Sequence, residues 1–358
     1  MLAKTRRDMQ IFSVLIPSEC VAQGVIYLSK ILLELALDIT EMDKERYNMS
    51  LEAIDADSNP KLTVFDYLHA TAFQGTSLAQ PVIGPLRNLA KFDQSTTAAF
   101  MSEHYSTCRL VVAASGGVHN DQVLGAVGGT FGALCPCGPA DADTGPQRFT
   151  GSEVVYRDDS MPLCHVAIGF EAPGYNSFYY YTMLVMKYII GSWHASQGRP
   201  ENQPFLTALG ASSLKCDSYQ SFYIPYKDIG LWGAYFVVDK LHVDDMVFLI
   251  QDAWMQMCIM CNSFEIVKAK NLAKLELARQ HCGVLNSCRD MGIQMMYACR
   301  RHSLPLMYNQ VEIVQPFMVK EMGMQCLYNR SPAVAAVGPS ECLPEYNRTQ
   351  AGMYWLRW

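Results

Sequence analysis

The sequence has no excess of positive charge, and it carries little charge of either sign. Its 28 Lys and Arg residues stand against 34 Asp and Glu residues, which gives a formal net charge of −6. Without a basic surface the chain cannot hold a polyanion by counterion release, so we expect no nucleic acid partner. Charged residues make up 17% of the 358 positions and apolar residues 50%, which indicates a globular chain with surface that a partner subunit covers.

An apolar run long enough to cross a bilayer is also missing. The most apolar long stretch, residues 24–40, contains Lys30, Glu34 and Asp38 and is too short to span the hydrocarbon core. We therefore expect a chain that is not membrane-spanning. The first residues, MLAKTRR, are basic but lead directly into Asp8 and a strand-like segment, so either a targeting leader is absent or the native start lies elsewhere.

The cysteines lack the regular spacing of a disulfide framework. There are 13 of them, an odd number, scattered among apolar residues, and we expect reduced thiols. Cys258 and Cys261 have the spacing of a metal-ligand pair. They lie in a methionine-rich apolar helix without a second such pair, which favours packing over metal binding.

The chain does contain a repeated order of strands and helices on either side of one linker. Residues 135–147, CPCGPADADTGPQ, are rich in proline and glycine and divide an N-terminal domain, 1–134, from a C-terminal domain, 148–358. Strands are predicted at 9–17 and 108–115 in the first part. In each part strands are followed by runs of helices, which predicts an α+β architecture and two copies of one fold.

Several segments together carry a family likeness. They are VFDYLHATAFQGT (64–76), FTGSEV (149–154), RDDSMPLCHVAI (157–168), IIGSW (189–193), GLWGAYFV (230–237), RSPAVAAVGP (330–339) and GMYWLR (352–357). They resemble the pitrilysin-type (M16) zinc-peptidase family, in the branch of the mitochondrial processing peptidase β subunit and cytochrome bc1 core protein 1. The resemblance implies two related M16-type domains, each a mostly antiparallel sheet with helices packed on one face, the first domain being incomplete.

The residues needed for the family's zinc chemistry are not all present. Active members hold one zinc with the two histidines of a His-x-x-Glu-His motif and a later glutamate, which leaves a fourth position for water. None of the eight histidines stands in such a motif, which by the resemblance would lie upstream of Met9. The downstream ligand position falls on Glu52, with Glu45 on the same helical face. One glutamate cannot hold zinc, so we expect no complete metal site, no catalytic residue and no cofactor; a solvated acidic face is the alternative interpretation of this pair.

Tyr226 and two histidines of the resembling segments, His69 and His165, are the remaining candidates for site residues. Tyr226 resembles the tyrosine that approaches the substrate peptide in active members, so it is a candidate for substrate binding; a strand tyrosine at a sheet edge is the alternative. His69 and His165 lie on apolar faces, where a hydrogen-bonded core histidine is the expected outcome, and neither is proposed as a ligand.

Two functions follow from the resemblance. The first is a non-catalytic mitochondrial subunit like core protein 1 of complex III, on the matrix side of the inner membrane, paired with a second M16-family subunit that is core 2-like or processing-peptidase α-like and with other bc1 subunits. The alternative is the β subunit of a processing peptidase that cleaves presequences, with its zinc motif missing from this chain. A third hypothesis is a diverged paralogue that no longer folds fully, because a shortened domain exposes sheet edges.

Overall fold

The structure is a computed structural model that describes residues 1–34, 37–134, 147–197, 213 and 216–354. The strands are β1 Leu2–Thr5, β2 Gln10–Ser13, β3 Glu153–Arg157, β4 Cys164–Pro173, β5 Ser192–His194, β6 Cys216–Pro225, β7 Ile229–Val238 and β8 Ala333–Gly338. The helices are α1 Val21–Leu33, α2 Ile39–Asp57, α3 Pro60–Ala72, α4 Gln94–His104, α5 Asn120–Thr130, α6 Tyr180–Ile190, α7 Val243–Met260, α8 Ser263–Gln280, α9 Val284–Ala298, α10 Leu304–Ile313, α11 Pro316–Cys326 and α12 Tyr346–Ala351.

The chain forms two compact units whose segments alternate along the sequence. Unit 1 consists of Met1–Ser58, Pro81–Pro146 and Arg279–Arg301, and unit 2 of Asn59–Gln80, Gln147–Ala278 and His302–Trp358. Helix α3 therefore groups with unit 2 and α9 with unit 1, although the contiguous division at 135–147 puts each in the other part. That division stays a prediction, and all of its linker except Gln147 lies outside the described residues.

Unit 2 is built around a six-stranded sheet with the order β3-β8-β4-β7-β6-β5. Only β3 and β8 are parallel, and the other neighbours are antiparallel. Every residue of β7 is buried, as expected for a strand covered on both faces. Alternate side chains of the neighbouring strand β4 show that both faces of the sheet are covered. Val166, Ile168 and Phe170 join a core with α6, α7 and α11, while Ala167 joins a second core with α3.

Helix α3 covers that second face of the sheet. Its first residues favour the start of a helix, and its apolar side chains are spaced to pack against the sheet. Asn59 caps it by accepting a hydrogen bond from the Lys61 amide at 3.2 Å, and Pro60 occupies the first helical position, where no amide donor is needed. Val64 and Leu68, one turn apart, are fully buried against the sheet. The predicted α+β class is confirmed, and α3 adds a helix on the face opposite to the main helical layer.

Unit 1 holds much less sheet. Its described strands are β1 and β2, paired antiparallel, and its small core consists of Val25, Leu32 and Phe131 with partly buried neighbours. The predicted strand at 108–115 is wrong as a strand. Thr107–Arg109 forms a 3-10 turn, and Leu110–Ser115 has no strand assignment because no neighbouring strand pairs with it among the described residues. A β-strand is stabilised by hydrogen bonds to a neighbouring strand, and the sequence pattern of a segment does not show whether such a neighbour is present.

The expectation of reduced thiols holds for most of the cysteines. In the part of the chain that the structure describes, ten cysteines are free, among them buried Cys258 and Cys261, whose pKa values burial raises to about 12 and about 11. These raised values disfavour the thiolate that binds metals, in agreement with a packing role. Cys108 departs from the expectation because it is disulfide-bonded. Pairing depends on the distance between Cβ atoms in the fold, which irregular cysteine spacing does not reveal.

Candidate functional site

Helix α2 carries the residues at the family's downstream ligand position. Both Glu45 and Glu52 are exposed, and Ala53 is the one buried residue of this 19-residue helix. Glu45 accepts a hydrogen bond from the Asn48 side chain at 3.4 Å, and Glu41 pairs with Lys44 at 2.7 Å on the same helix. The helix surface is thus a solvated, locally paired set of charges.

The residues present do not fit a family zinc site. The described part of the chain contains no group of three or more His, Cys, Asp or Glu side chains placed to hold a metal ion. Glu52 has no histidine motif to complement, because the sequence contains no His-x-x-Glu-His. A single exposed carboxylate does not provide the three protein ligands of a catalytic zinc. The assignment of Glu52 as a residual ligand position stays a prediction.

Tyr226 lies at the β6–β7 turn, and its hydroxyl is engaged inside unit 2. Its amide donates to the Ile229 carbonyl at 2.8 Å, and only 7% of the residue is exposed. The hydroxyl is 2.8 Å from Nε2 of His69, while Nδ1 of His69 is 2.6 Å from the Phe65 carbonyl oxygen. A carbonyl only accepts, so Nδ1 carries the proton and donates; Nε2 then accepts from the tyrosine O–H.

Aromatic rings enclose this tyrosine–histidine pair. The ring of Tyr226 meets those of His69 and Phe73 edge to face, with centroids 6.1 and 6.2 Å apart. His69 is 4% exposed, which confirms it as a hydrogen-bonded core histidine. The substrate-binding role of Tyr226 stays a prediction, and the geometry assigns its hydroxyl to holding α3 against the sheet. Sequence reasoning missed the pair because its members are 157 positions apart.

His165 lies on β4, half buried, with Nδ1 2.8 Å from the Tyr235 hydroxyl. Burial lowers the pKa of His165, and the negative charge of Asp217 opposes that change. Burial likewise raises the pKa of Tyr235 to about 12, so its hydroxyl stays protonated. The pair is a neutral hydrogen bond on the sheet, which confirms the expected structural role of His165.

An ion pair between a buried lysine and an exposed glutamate joins two helices of unit 2, and the sequence did not predict it. Nζ of Lys270, on α8, donates to the Glu312 backbone carbonyl at 2.8 Å and lies 3.6 Å from the Glu312 carboxylate. Lys274 pairs with the same carboxylate. These bonds join α8 to the end of α10, and Lys270 is 9% exposed, so its role is structural.

Both parts of the chain match models of one protein family. Residues 1–86 match the family described as "Insulinase (Peptidase family M16)", and residues 92–272 match "Peptidase M16 inactive domain". The chain belongs to peptidase family M16.

Within this family, two groups of mitochondrial relatives match at similar identity. Cytochrome b-c1 complex subunit 1 of Mus musculus is 37% identical over 92% of this chain and 69% of its own length. Mitochondrial-processing peptidase subunit beta of Homo sapiens is 35% identical over 99% of this chain and 73% of its own length. A chain in complex III2 of Candida albicans, solved with Inz-5 bound, superposes with a TM-score of 0.88 at 23% identity, over 99% of this chain and 85% of that one. Among the described residues, every helix is too short or too polar to traverse a bilayer.

Proposed function

We propose that this chain is a non-catalytic M16 subunit of a mitochondrial respiratory assembly, in the role that core protein 1 has in complex III. The observation that carries the proposal is the exposure of Glu52, the residue that resembles the family's downstream zinc ligand. Glu52 stands exposed on a solvated helix, the sequence contains no His-x-x-Glu-His, and the described residues hold no group of three His, Cys, Asp or Glu side chains placed to bind a metal. Metal-assisted hydrolysis needs three protein ligands and a bound water, so these residues cannot assemble the reaction.

The proposed partners are a second M16-family subunit, core 2-like or processing-peptidase α-like, and further bc1 subunits on the matrix side of the inner membrane. Apolar surface of unit 2 supports association. On α8, Phe264, Val267 and Leu275 are 71%, 56% and 67% exposed at helical spacing. A stripe of this kind costs solubility unless another subunit covers it.

The processing-peptidase β role is the second candidate. It is favoured by one observation: the match to that relative extends over 99% of the chain, against 92% to 95% for the subunit 1 relatives. Under this hypothesis a longer polypeptide supplies His-x-x-Glu-His and Glu52 completes the zinc shell.

Zinc content and cleavage of a presequence peptide separate the two candidates. The purified chain is assayed alone and with a processing-peptidase α subunit, beside the human β subunit as positive control. We expect no stoichiometric zinc, no cleavage, and no change on Glu52→Gln. Zinc at one equivalent with cleavage that Glu52→Gln abolishes would overturn the proposal. Co-migration of the tagged chain with complex III on native gels is expected in addition.

A further inference from the structure

Helices α7 and α12 form the walls of a groove in unit 2. The groove has a volume of about 220 Å³, room for one large side chain, and its apolar walls are Val247, Phe248, Pro344 and Ala351. Phe248 is 46% exposed, while Val247 beside it is 2% exposed. A half-exposed aromatic ring at the mouth of an apolar pocket is typical of the centre of a protein interface.

Contacts between the two helices preform this groove. Gln251 of α7 is 4% exposed, and its side-chain amide donates to the Thr349 carbonyl of α12 at 2.6 Å. Asp244 and Arg348, one from each helix, pair at 2.9 Å. At Gly352 a Cβ atom would collide with the Gln251 amide oxygen, so glycine permits this close approach. A pocket whose walls are bonded to each other needs little rearrangement to bind.

Acidic side chains flank Phe248 on α7. Asp245 and Asp252 lie two turns apart on the same face of the helix, with Phe248 between them. Asp245 is exposed. Burial raises the pKa of Asp252, and a hydrogen bond from Gln256, not a cation, opposes that change. The groove therefore has a negative rim along α7.

The charges elsewhere around the groove do not cancel this rim. Glu345, a third carboxylate, is exposed next to Pro344 on the other wall. Arg348, the basic residue among those that line the groove, is neutralised by Asp244. An apolar pocket with a negative rim fits a segment that combines a large apolar side chain with Lys or Arg. A second copy of this chain is a poor match, because both copies carry a formal charge of −6.

The described polypeptide leaves the groove at Gly352. Met353 is fully buried, and its carbonyl accepts from the Asn329 amide at 2.8 Å. The ring of Tyr354 then packs against Tyr328 at 5.4 Å. The chain therefore runs from α12 towards Tyr328 and Asn329, which leaves the groove accessible to another molecule.

We propose that this groove is a docking site for a basic segment of a partner protein. The segment inserts one large apolar side chain between α7 and α12 and places Lys or Arg beside Asp245, Asp252 and Glu345. The apolar side chain supplies most of the affinity, and the charges orient the segment and exclude acidic competitors. The site does not depend on the proposed function, since neither α2 nor Tyr226 lines it. The zinc and cleavage assays therefore do not decide this proposal.

The probe is a fluorescein-labelled synthetic peptide, Gly-Lys-Arg-Phe-Lys-Arg-Gly, titrated against the full chain. One control peptide has serine in place of phenylalanine, and the other has glutamate in place of every basic residue. We expect saturable binding of the first peptide and binding about tenfold weaker for each control, because each control lacks one of the two features. Hydrogen exchange should show protection by the first peptide at residues 244–252 and 345–352. No binding, equal binding of either control, or protection only at other residues would overturn the proposal.

Three variants of the groove and one control locate the binding site. Ala351→Leu fills the groove and should weaken peptide binding about tenfold, and Phe248→Ala, which removes a half-exposed wall, about fivefold. Asp245→Asn should weaken binding about threefold, and less so at high salt. Phe264→Ala removes an exposed ring from α8 and should leave the affinity unchanged. If Ala351→Leu and Phe248→Ala both bind like the unmodified chain, with unchanged circular dichroism, the segment does not dock in this groove.

Two further measurements identify the occupant. A chain that ends at Tyr354 is expected to bind the peptide with unchanged affinity, whereas a gain of about tenfold would mean that the chain's own last residues fill the groove. Sedimentation velocity is expected to show the same oligomeric state for the unmodified chain and for Ala351→Leu. A dimer that dissociates in this variant would assign the groove to a second copy. Either of these contrary results would contradict docking of a partner segment.

Discussion

The two units of this chain differ in how completely a sheet is assembled. In unit 2 the strand β7 has a neighbour on both sides and helices over both faces, and its ten residues are all buried. In unit 1 the described strands form one two-stranded sheet, and the core has three buried members, Val25, Leu32 and Phe131. Two-stranded sheets are marginal in water. The same order of hairpin, turn and helix therefore belongs to a broad, buried sheet in one unit and, among the described residues, to a two-stranded sheet in the other.

Hydrogen exchange should give the largest contrast between the units. Amides of β7 are expected to exchange only through global unfolding, while those of Leu110–Ser115 exchange near the unprotected rate, because they make no backbone hydrogen bond in the described structure. A difference of several orders of magnitude in rate follows. Mass spectrometry of peptic fragments measures it, and comparable protection in both segments would mean that unit 1 has a ladder of its own.

The second contrast is the cost of a cavity in the core of unit 2. Phe170 is fully buried on β4, with its ring edge to face against Trp254 at 5.3 Å. Phe170→Ala is expected to lower the free energy of unfolding by about 3–5 kcal/mol. The matched control is Phe264→Ala on the 71% exposed ring of α8, with an effect within about 0.5 kcal/mol. Urea denaturation measures both, and similar losses would show that the core is not where the stability lies.

A smaller effect is expected at the tyrosine–histidine pair that attaches α3 to the sheet. Tyr226→Phe removes the hydroxyl that donates to Nε2 of His69 in a buried site, which is expected to cost about 1–3 kcal/mol. Tyr156→Phe removes the same hydroxyl from a residue that is 54% exposed and should change little. If the two variants have equal stability, the Tyr226 hydroxyl does not hold α3, and a substrate-facing role becomes the better interpretation.

Local sequence patterns predicted individual helices better than they predicted which elements pair or pack together. The helical period of residues 64–73 predicts most of α3, whose first turn begins at Pro60, and the acidic segment 45–57 predicts a helix that α2 contains. The predicted strand at 108–115 is wrong, since none of the described residues forms a strand that pairs with this apolar, β-branched segment. The grouping of α3 with a sheet that lies more than 70 positions downstream, and the contact of Tyr226 with His69, depend on tertiary placement that no local pattern encodes.

The smallest effect concerns pH, and it has opposite signs in the two units. Burial lowers the pKa of His165 in unit 2 below its unfolded value of 6.5. The unfolded state then binds more protons, so this histidine's contribution is complete above about pH 6.5 and is lost as the pH falls below it. Burial raises the pKa of Asp290 in unit 1 above 3.8, against the opposing charges of His281 and Arg301. There the folded state holds the proton more tightly, and stability rises as the pH falls through the raised pKa.

Single substitutions separate these two contributions. His165→Gln should flatten the decline of stability below pH 6.5, and Asp290→Asn should remove the gain on acidification, each by no more than about 1.4 kcal/mol per pH unit, the limit for one proton. Chemical denaturation followed from pH 8 to pH 4 measures both slopes. If both variants change the pH dependence of the free energy of unfolding in the same direction, folding shifts the pKa values of the two groups with the same effect on stability. The contrast between the two units would then not extend to these ionisable side chains.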